Sequence, residues 1–318
     1  MTIFYHLIDH QPPGSILYLV NPLSQLKNHI ILTSFKNEYE EINKNLYNIK
    51  FTNDVCIIIH STGRNGYFFQ NAEKICPLCP NSFIFMHVSP YYLKIKKRHS
   101  VLHKLKTLEN LYGTKVLTTG TELANLYKRE KLVALPIQIG IDTPNNPKQT
   151  IKLRSTKKLI VTTCTSKSKI YQKIKGIDLF IQLIKKYSLE SKAIIVGYSM
   201  QAEDGIKRLQ LPHKKFQNLL SSALVYIQLS RTEAYNLTAI EAKRLGVPII
   251  VSDLEGHIDN VKYGFRVKNL EEASRCLELI LTNPENSKIN DLVSNNRIDS
   301  YTRESLKSFG KSFEDVIK

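Results

Sequence analysis

Residues 223–251 constrain this chain more than any other stretch. Ala223 to Leu229 is an apolar run that reads as a buried strand. A helical pattern follows through Ala239, Ile240 and Leu245 and stops at Gly246-Val247-Pro248, and Pro248 to Val251 reads as the next strand. Strand, loop, helix, strand is half of a parallel α/β layer. The helix starts near Asn236, at the carboxyl end of the first strand, where free backbone N–H groups and the helix dipole suit a diphosphate. Glu233 lies in the loop and Glu241 inside the helix, with seven residues between them. Two carboxylates beside an anion site would repel the anion, but they fit as acceptors for neutral hydroxyls such as those of a ribose and a sugar.

Glu233, seven residues, Glu241-Ala242, and then Leu245-Gly246-Val247-Pro248 resembles the E-x7-E signature of retaining GT-B glycosyltransferases of family four. The resemblance implies an α/β, GT-B fold of two Rossmann-like domains with a cleft between them. It gives Glu241 the nucleotide ribose and Glu233 the donor sugar. Tyr235, Asn236 and Leu237 become donor-binding positions. Where the family carries Gly-Phe-Gly-Leu, this chain has Ala234-Tyr235-Asn236-Leu237, and Asn tolerates unusual backbone angles better than most residues. A surface helix in an unrelated α/β protein is the bland alternative.

The 318 residues suffice for two domains, 42% of them are hydrophobic, and no apolar run approaches a membrane span. The first 15 residues lack a basic segment followed by a long apolar core, so no signal peptide is expected. Five Cys then imply reduced thiols in a cytoplasm. Cys76-Pro77-Leu78-Cys79 is a lone pair and reads as a structural turn rather than a metal site. A net charge of +17 suggests an acidic partner: a membrane surface, nucleic acid or a charged substrate.

In the first half, Ile3–Ile8 and His29–Leu32 are strand-like, with a helical pattern over Ile16–Leu26. The family has a Gly-rich ligand loop after the first strand. Here only Gly14 remains, as a donor-binding candidate or as part of a tight Pro-Pro-Gly turn. Val55–His60 and Ser82–Met86 are buried strands, and His60 and His87 fall at the ligand edge of an open sheet. The family's cleft His makes His87 a catalytic candidate; a structural strand-end His is the alternative. Ser89 and Pro90 read as N-cap and first-turn Pro of one helix running from about Tyr91 to Leu111. Between Lys94 and Lys106 it carries six Lys or Arg and no acid. Lys94, Lys96, Lys97 and Arg98 are therefore candidates for docking on an anionic membrane, against the alternative of a solvated face. Lys115–Thr119 reads as a strand and Glu122–Glu130 as a helix. Pro136-Ile137-Gln138-Ile139-Gly140-Ile141-Asp142 resembles the segment that closes the family's first domain, with Ile139 where Asn is usual. Thr143 to Thr150 is polar and Pro-rich and reads as the linker. The expected boundaries are 1–146 for an acceptor-side domain, 147–300 for a nucleotide-sugar domain, and 301–318 for a helix returning to the first.

In the second half, a strand at Lys158–Thr163 leads into a basic loop, Ser166 to Gly176, and a helix over Ile177–Tyr187. Lys175-Gly176 resembles the family's diphosphate-clamping Lys-Gly. Lys175 takes that role, and Lys167 or Lys169 has to replace the family's Arg, as a point charge rather than a fork. A solvated Lys-rich loop is the alternative. The connection from Gly197 to Phe216 looks too short for the strand and base-contacting loop usual there. Helices are expected over Glu271–Leu281 and Tyr301–Ile317.

By this resemblance the protein is a hexosyltransferase-type enzyme of polysaccharide biosynthesis. It would move a sugar from a nucleotide-diphosphate donor to a glycan or lipid-linked hydroxyl, with retention. With no Asp-x-Asp pair, no metal or other cofactor is expected, and Lys175 and a helix N-terminus carry the leaving charge. The expected location is cytoplasmic, or peripheral on the inner face of the membrane. Rival readings are a GT-B binding protein without turnover, a nucleic-acid-directed enzyme or binder, and a sugar-nucleotide epimerase. No stacking platform or nucleic-acid motif supports nucleic acid.

Overall fold

Short, continuous apolar runs make strands that need cover on both faces, and the intervening helices supply it. The computed structural model describes residues 2–8, 21–33, 46, 49–50, 52–62, 66–139, 158–198, 204–303 and 306–317. Among them lie two six-stranded sheets, parallel throughout. The chain divides into two compact units: residues 1–143 with 303–318, and residues 144–302.

Unit 1 contains β1 (Ile3–Ile8), β2 (His29–Thr33), β3 (Val55–Ser61), β4 (Asn81–Met86), β5 (Lys115–Thr119) and β6 (Ala134–Ile137), in the spatial order β2-β1-β3-β4-β5-β6. Every residue of β3 is buried, as expected of a central parallel strand. Of the Ile16–Leu26 pattern, residues 21–26 are described, and Asn21–Gln25 is 3-10 rather than α-helical. Cys76–Leu78 is likewise a 3-10 turn; the Cys76 carbonyl accepts the Cys79 N–H, and the Cys79 thiol donates to the Val55 carbonyl.

The single helix expected after Ser89 is two helices, α1 (Pro90–Ile95) and α2 (His99–Tyr112). Ser89 caps α1 by accepting the Tyr92 N–H at 3.1 Å. The break is a Schellman stop: Lys97 sits at φ 54°, its N–H donates to the Lys94 carbonyl, and the Arg98 N–H reaches back to Leu93. Lys in place of Gly at that left-handed position gives no stop signal in the sequence. The basic stretch also has acidic partners supplied by the fold: Lys94 pairs with Glu130 at 2.5 Å and Lys104 with Glu73 at 3.5 Å. Glu130 follows α3 (Thr121–Arg129), which packs on β5 and β6.

Unit 2 contains β7 (Leu159–Thr163), β8 (Ala193–Val196), β9 (Lys207–Leu209), β10 (Ala223–Gln228), β11 (Ile249–Ser252) and β12 (Phe265–Val267), ordered β12-β11-β10-β7-β8-β9. The basic loop after β7 contains a short helix, α4 (Lys169–Ile174), before α5 (Ile177–Lys186). The short connection from Gly197 to Phe216 holds β9 and the start of α6 (His213–Ser221). Then come α7 (Leu237–Arg244), α8 (Leu270–Thr282) and α9 (Ser287–Arg303). Alternate strand residues feed two cores. Ile160, Ile195 and Ile250 join Phe180, Leu183 and Leu277 on one face, and Val161, Ile194 and Ile249 join Phe216, Ala239 and Ala242 on the other.

The last helix, α10 (Leu306–Ile317), belongs to unit 1. Its Phe313 is buried, with its ring 5.8 Å from Phe4, 5.2 Å from His6, 5.5 Å from His29 and 6.1 Å from Phe85. Phe313→Ala is expected to lower stability by about 3–5 kcal/mol in urea unfolding of the full chain. An unchanged midpoint would remove Phe313 from the core.

Candidate active site

Unit 2 assembles its site where β7 and β10 end. Gly176, at φ 66°, turns the chain from α4 into α5 directly against β10. A Cβ there would lie 1.7 Å from the Leu229 carbonyl oxygen, so only glycine fits. That contact places Lys175 over the strand end. The Gln228 side chain donates to the Lys175 carbonyl at 2.6 Å, and its own oxygen accepts from Thr163 at 3.1 Å and Tyr226 at 3.0 Å. Lys175 Nζ then meets Glu233 Oε2 at 2.6 Å, and the Ser230 hydroxyl donates to the same oxygen at 3.3 Å. Burial works against the Lys175 ammonium, but the adjacent Glu233 carboxylate more than offsets it and holds its pKa above the ordinary lysine value. Burial pushes the Tyr226 phenol up to about 12.

Asn236 is the N-cap of α7, its side-chain oxygen accepting the Ala239 N–H at 3.0 Å. Its backbone is extended, φ −92° and ψ 90°, so the tolerance for unusual angles expected of it is not used. Its amide donates to His257 Nε2 at 3.2 Å, while His257 Nδ1 donates to the Ser252 carbonyl. Burial lowers the His257 pKa and keeps the ring neutral, as an acceptor requires. Glu241, on α7, is buried and meets His213 Nε2 at 2.5 Å. That hydrogen bond raises the His213 pKa above its ordinary value.

The Tyr226 hydroxyl lies 3.4 Å from the Asn236 side-chain oxygen, so among the sequence-derived candidates Lys175, Glu233 and Asn236 are tied into one network, with Glu241 five residues beyond the N-cap. Tyr235 and Leu237 flank the cap and are half-buried. Lys169 opens α4 and is exposed, and among the described residues no ion pair links it to Glu233. Gly14 lies outside the described residues. Sequence reasoning missed Gln228, Tyr226, His213 and His257. Gln228 did carry a signal, being the one polar side chain in the run Ala223–Leu229 apart from the Tyr226 hydroxyl. Gly256 was missed as well; a Cβ there would meet the Glu233 carbonyl at 2.3 Å, so the Glu233 loop also rests on a glycine.

In unit 1, His87 follows β4 and is half-buried. Its Nε2 is 2.8 Å from His60 Nδ1, His60 Nε2 is 3.0 Å from His6 Nδ1, and His6 Nε2 is 2.8 Å from His29 Nδ1. The register explains this row. His29 is two residues before the partner of His6 on β2, His60 two after its partner on β3, and His87 two beyond the β4 partner of His60. Steps of two keep every ring on one face of the sheet. Burial lowers all four pKa values, to about 4 at His29 and about 3 at His87.

Residues 163–299 match the family described as glycosyl transferases group 1. Lys175, Glu233, Asn236 and Glu241 all lie within the match. The fold is GT-B. A sucrose-phosphate synthase from Thermosynechococcus elongatus superposes with TM-score 0.69 at 15% identity, covering 99% of this chain and 98% of that one. WaaG, a glycosyltransferase involved in lipopolysaccharide biosynthesis, gives 0.66 at 12% identity over 99% of both chains. A variant of S. aureus TarM in complex with Fondaparinux, alpha-GlcNAc-glycerol and UDP gives 0.61 at 15%, covering 88% of this chain and 58% of that one. No curated protein matches the sequence.

Lowered histidine pKa values make the fold acid-sensitive. The unfolded chain binds protons near pH 6.5 while the folded rings refuse them until about 4 at His29 and about 3 at His87, so stability falls as pH drops from 6.5 toward those values. At pH 5 each of these two rings is expected to cost about 2 kcal/mol relative to pH 7, read as a lower urea midpoint. A midpoint flat between pH 7 and 5 would contradict the buried, neutral assignment.

Proposed function

We propose that this chain is a glycosyltransferase that moves a sugar from a nucleotide-diphosphate donor to a hydroxyl acceptor with retention of configuration, without a bound metal. The observation that carries the reading is the Lys175–Glu233 pair beside the Asn236-capped helix, inside the residues that match glycosyl transferases group 1. Lys175 is the mobile cation of the site. When a diphosphate arrives, its ammonium turns to the phosphate oxygens and frees Glu233 to accept hydrogen bonds from the donor sugar. Glu241 accepts from the ribose hydroxyls in place of His213. The acceptor oxygen attacks the anomeric carbon as the bond to the phosphate oxygen breaks. The departing phosphate takes the acceptor's proton, and Lys175 offsets the charge left on it. Glu233 forms no covalent bond in this scheme. The TarM variant's complex with UDP supports a uridine nucleotide as the first donor class to try.

The test is a thermal-shift screen of sugar nucleotides, because a ligand that binds the folded state raises its apparent stability. With the donor found, Lys175→Ala is expected to weaken its binding by about 1.5–3 kcal/mol, the loss of a charge-assisted contact. Glu241→Ala is expected to weaken it through the ribose. Donor affinity unchanged in both variants, with folding intact, would reject the site. Donor hydrolysis or transfer separates an enzyme from a binding protein, and product analysis separates it from an epimerase.

The acceptor we propose is a glycan or lipid-linked glycan met at an anionic surface. Lys94 and Lys97 are exposed around the α1–α2 break, where Tyr91 is also 56% exposed, an aromatic beside cations as surface docking requires. No helix among the described residues is long and apolar enough to cross a membrane. Co-sedimentation should rise with the anionic lipid content of vesicles and fall when Lys94, Lys96, Lys97 and Arg98 are changed together to Gln. Binding that ignores anionic lipid, or that survives the four substitutions, would point to an acceptor in free solution.

A further inference from the structure

The unit 1 histidine row does something that ordinary core histidines do not. Its four rings share three N···N contacts of 2.8–3.0 Å, each of which needs one proton between two nitrogens. A neutral ring carries one N–H, so fixing one ring fixes all of them. Only two arrangements satisfy every contact: all four protons on Nδ1, or all four on Nε2. The inner end chooses between them. His29 Nε2 is buried and meets no hydrogen-bond partner among the described residues; it points at α10 near Gly310. The all-Nε2 arrangement would bury an N–H there with no acceptor, whereas the all-Nδ1 arrangement leaves only a lone pair. Orphaned buried N–H groups are the rarer and costlier of the two. The rings of Phe4, Phe85 and Phe313 pack on the row and offer no competing acceptor.

We propose that His6, His29 and His60 are positioning residues that lock His87 as a neutral Nδ1–H donor at the carboxyl edge of the unit 1 sheet. His87 Nε2 is occupied by the His60 N–H, so its other nitrogen, Nδ1, carries the proton and has no lone pair. The group it takes is an oxygen lone pair, on a sugar hydroxyl or on a phosphate. It does not remove a proton from an attacking hydroxyl. That His87 faces a sugar ligand at all rests on the proposed glycosyl transfer, but the tautomer lock does not.

The measurement is long-range proton–nitrogen NMR of the imidazoles in the full-length, nitrogen-15-labelled protein at pH 7. His6, His29, His60 and His87 are expected to show Nδ1 protonated and Nε2 bare. Nε2 protonated at His87, or a charged His87, overturns the proposal in the wild-type protein without any variant. His60→Phe removes the donor behind His87 and is expected to leave it as a mixture of both tautomers. His60→Gln, whose amide N–H restores that donor, should return it to Nδ1–H. A packing role alone would leave the His87 tautomer the same in all three proteins, and that result also overturns the lock. Titration with inorganic phosphate and, separately, with glucose should move the His87 Nδ1 resonance for at least one, and the one that moves it identifies the source of the oxygen. No movement with either would overturn the ligand assignment. None of these readouts needs a sugar nucleotide, so failure to find a donor and failure of the lock are separate results.

Discussion

The arrangement in unit 2 depends on one close approach, the backbone of Gly176 against the carbonyl of Leu229. Without a side chain at Gly176 the turn after α4 presses onto the end of β10, and a Cβ placed 1.7 Å from that oxygen shows how little room there is. The contact puts the Lys175 carbonyl within reach of the Gln228 amide and the Lys175 ammonium within reach of Glu233. A lysine on a flexible stem becomes a positioned charge because its backbone is clamped, which is how rigid support usually makes a binding group precise. The Lys-Gly dipeptide is therefore a single device: the glycine sets where the lysine starts, and the carboxylate sets where it ends.

Several of these relations could be read from the sequence because they are local. β10, the start of α7 near Asn236 and its stop before Pro248 follow from an apolar run, a helical pattern and a Gly–Pro boundary within about thirty residues; the capping bond at Asn236 was not read. What could not be read depends on register or on residues far away in the chain. Glu241 meets His213 across 28 positions, and Asn236 meets His257 across 21. The histidine row requires four strands to align in two-residue steps, and a slip of one residue would send a ring to the opposite face. The sequence placed His60 and His87 at strand ends but gave no sign of the rings behind them. The α1–α2 break was illegible for a different reason: tertiary packing holds a lysine in a conformation that local preference assigns to glycine.

Net charge illustrates the limit of composition. The chain carries +17, and the stretch from Lys94 to Lys106 contains no acid of its own. Folding nevertheless brings Glu130 to Lys94 and Glu73 to Lys104. Exposed pairs of this kind add little stability, typically about 0–1 kcal/mol. Their effect is on the field: a lysine already facing a carboxylate attracts a distant anion less than the sequence count implies. Any steering by the α1–α2 region therefore falls more heavily on Lys97, which is exposed at the turn itself.

The two units handle polar burial in opposite ways. Unit 2 keeps a charged pair, Lys175 with Glu233, at the margin of its core, where each partner makes the other's charge tolerable. Unit 1 lines up four imidazoles that burial keeps neutral, joined ring to ring by three N···N contacts. A charged pair can open toward an incoming anion, because the phosphate replaces one partner for the other. A neutral row has less freedom, because turning either inner ring, His6 or His60, breaks two hydrogen bonds at once. The C-terminal helix, through Phe313, closes that row from the far end of the chain.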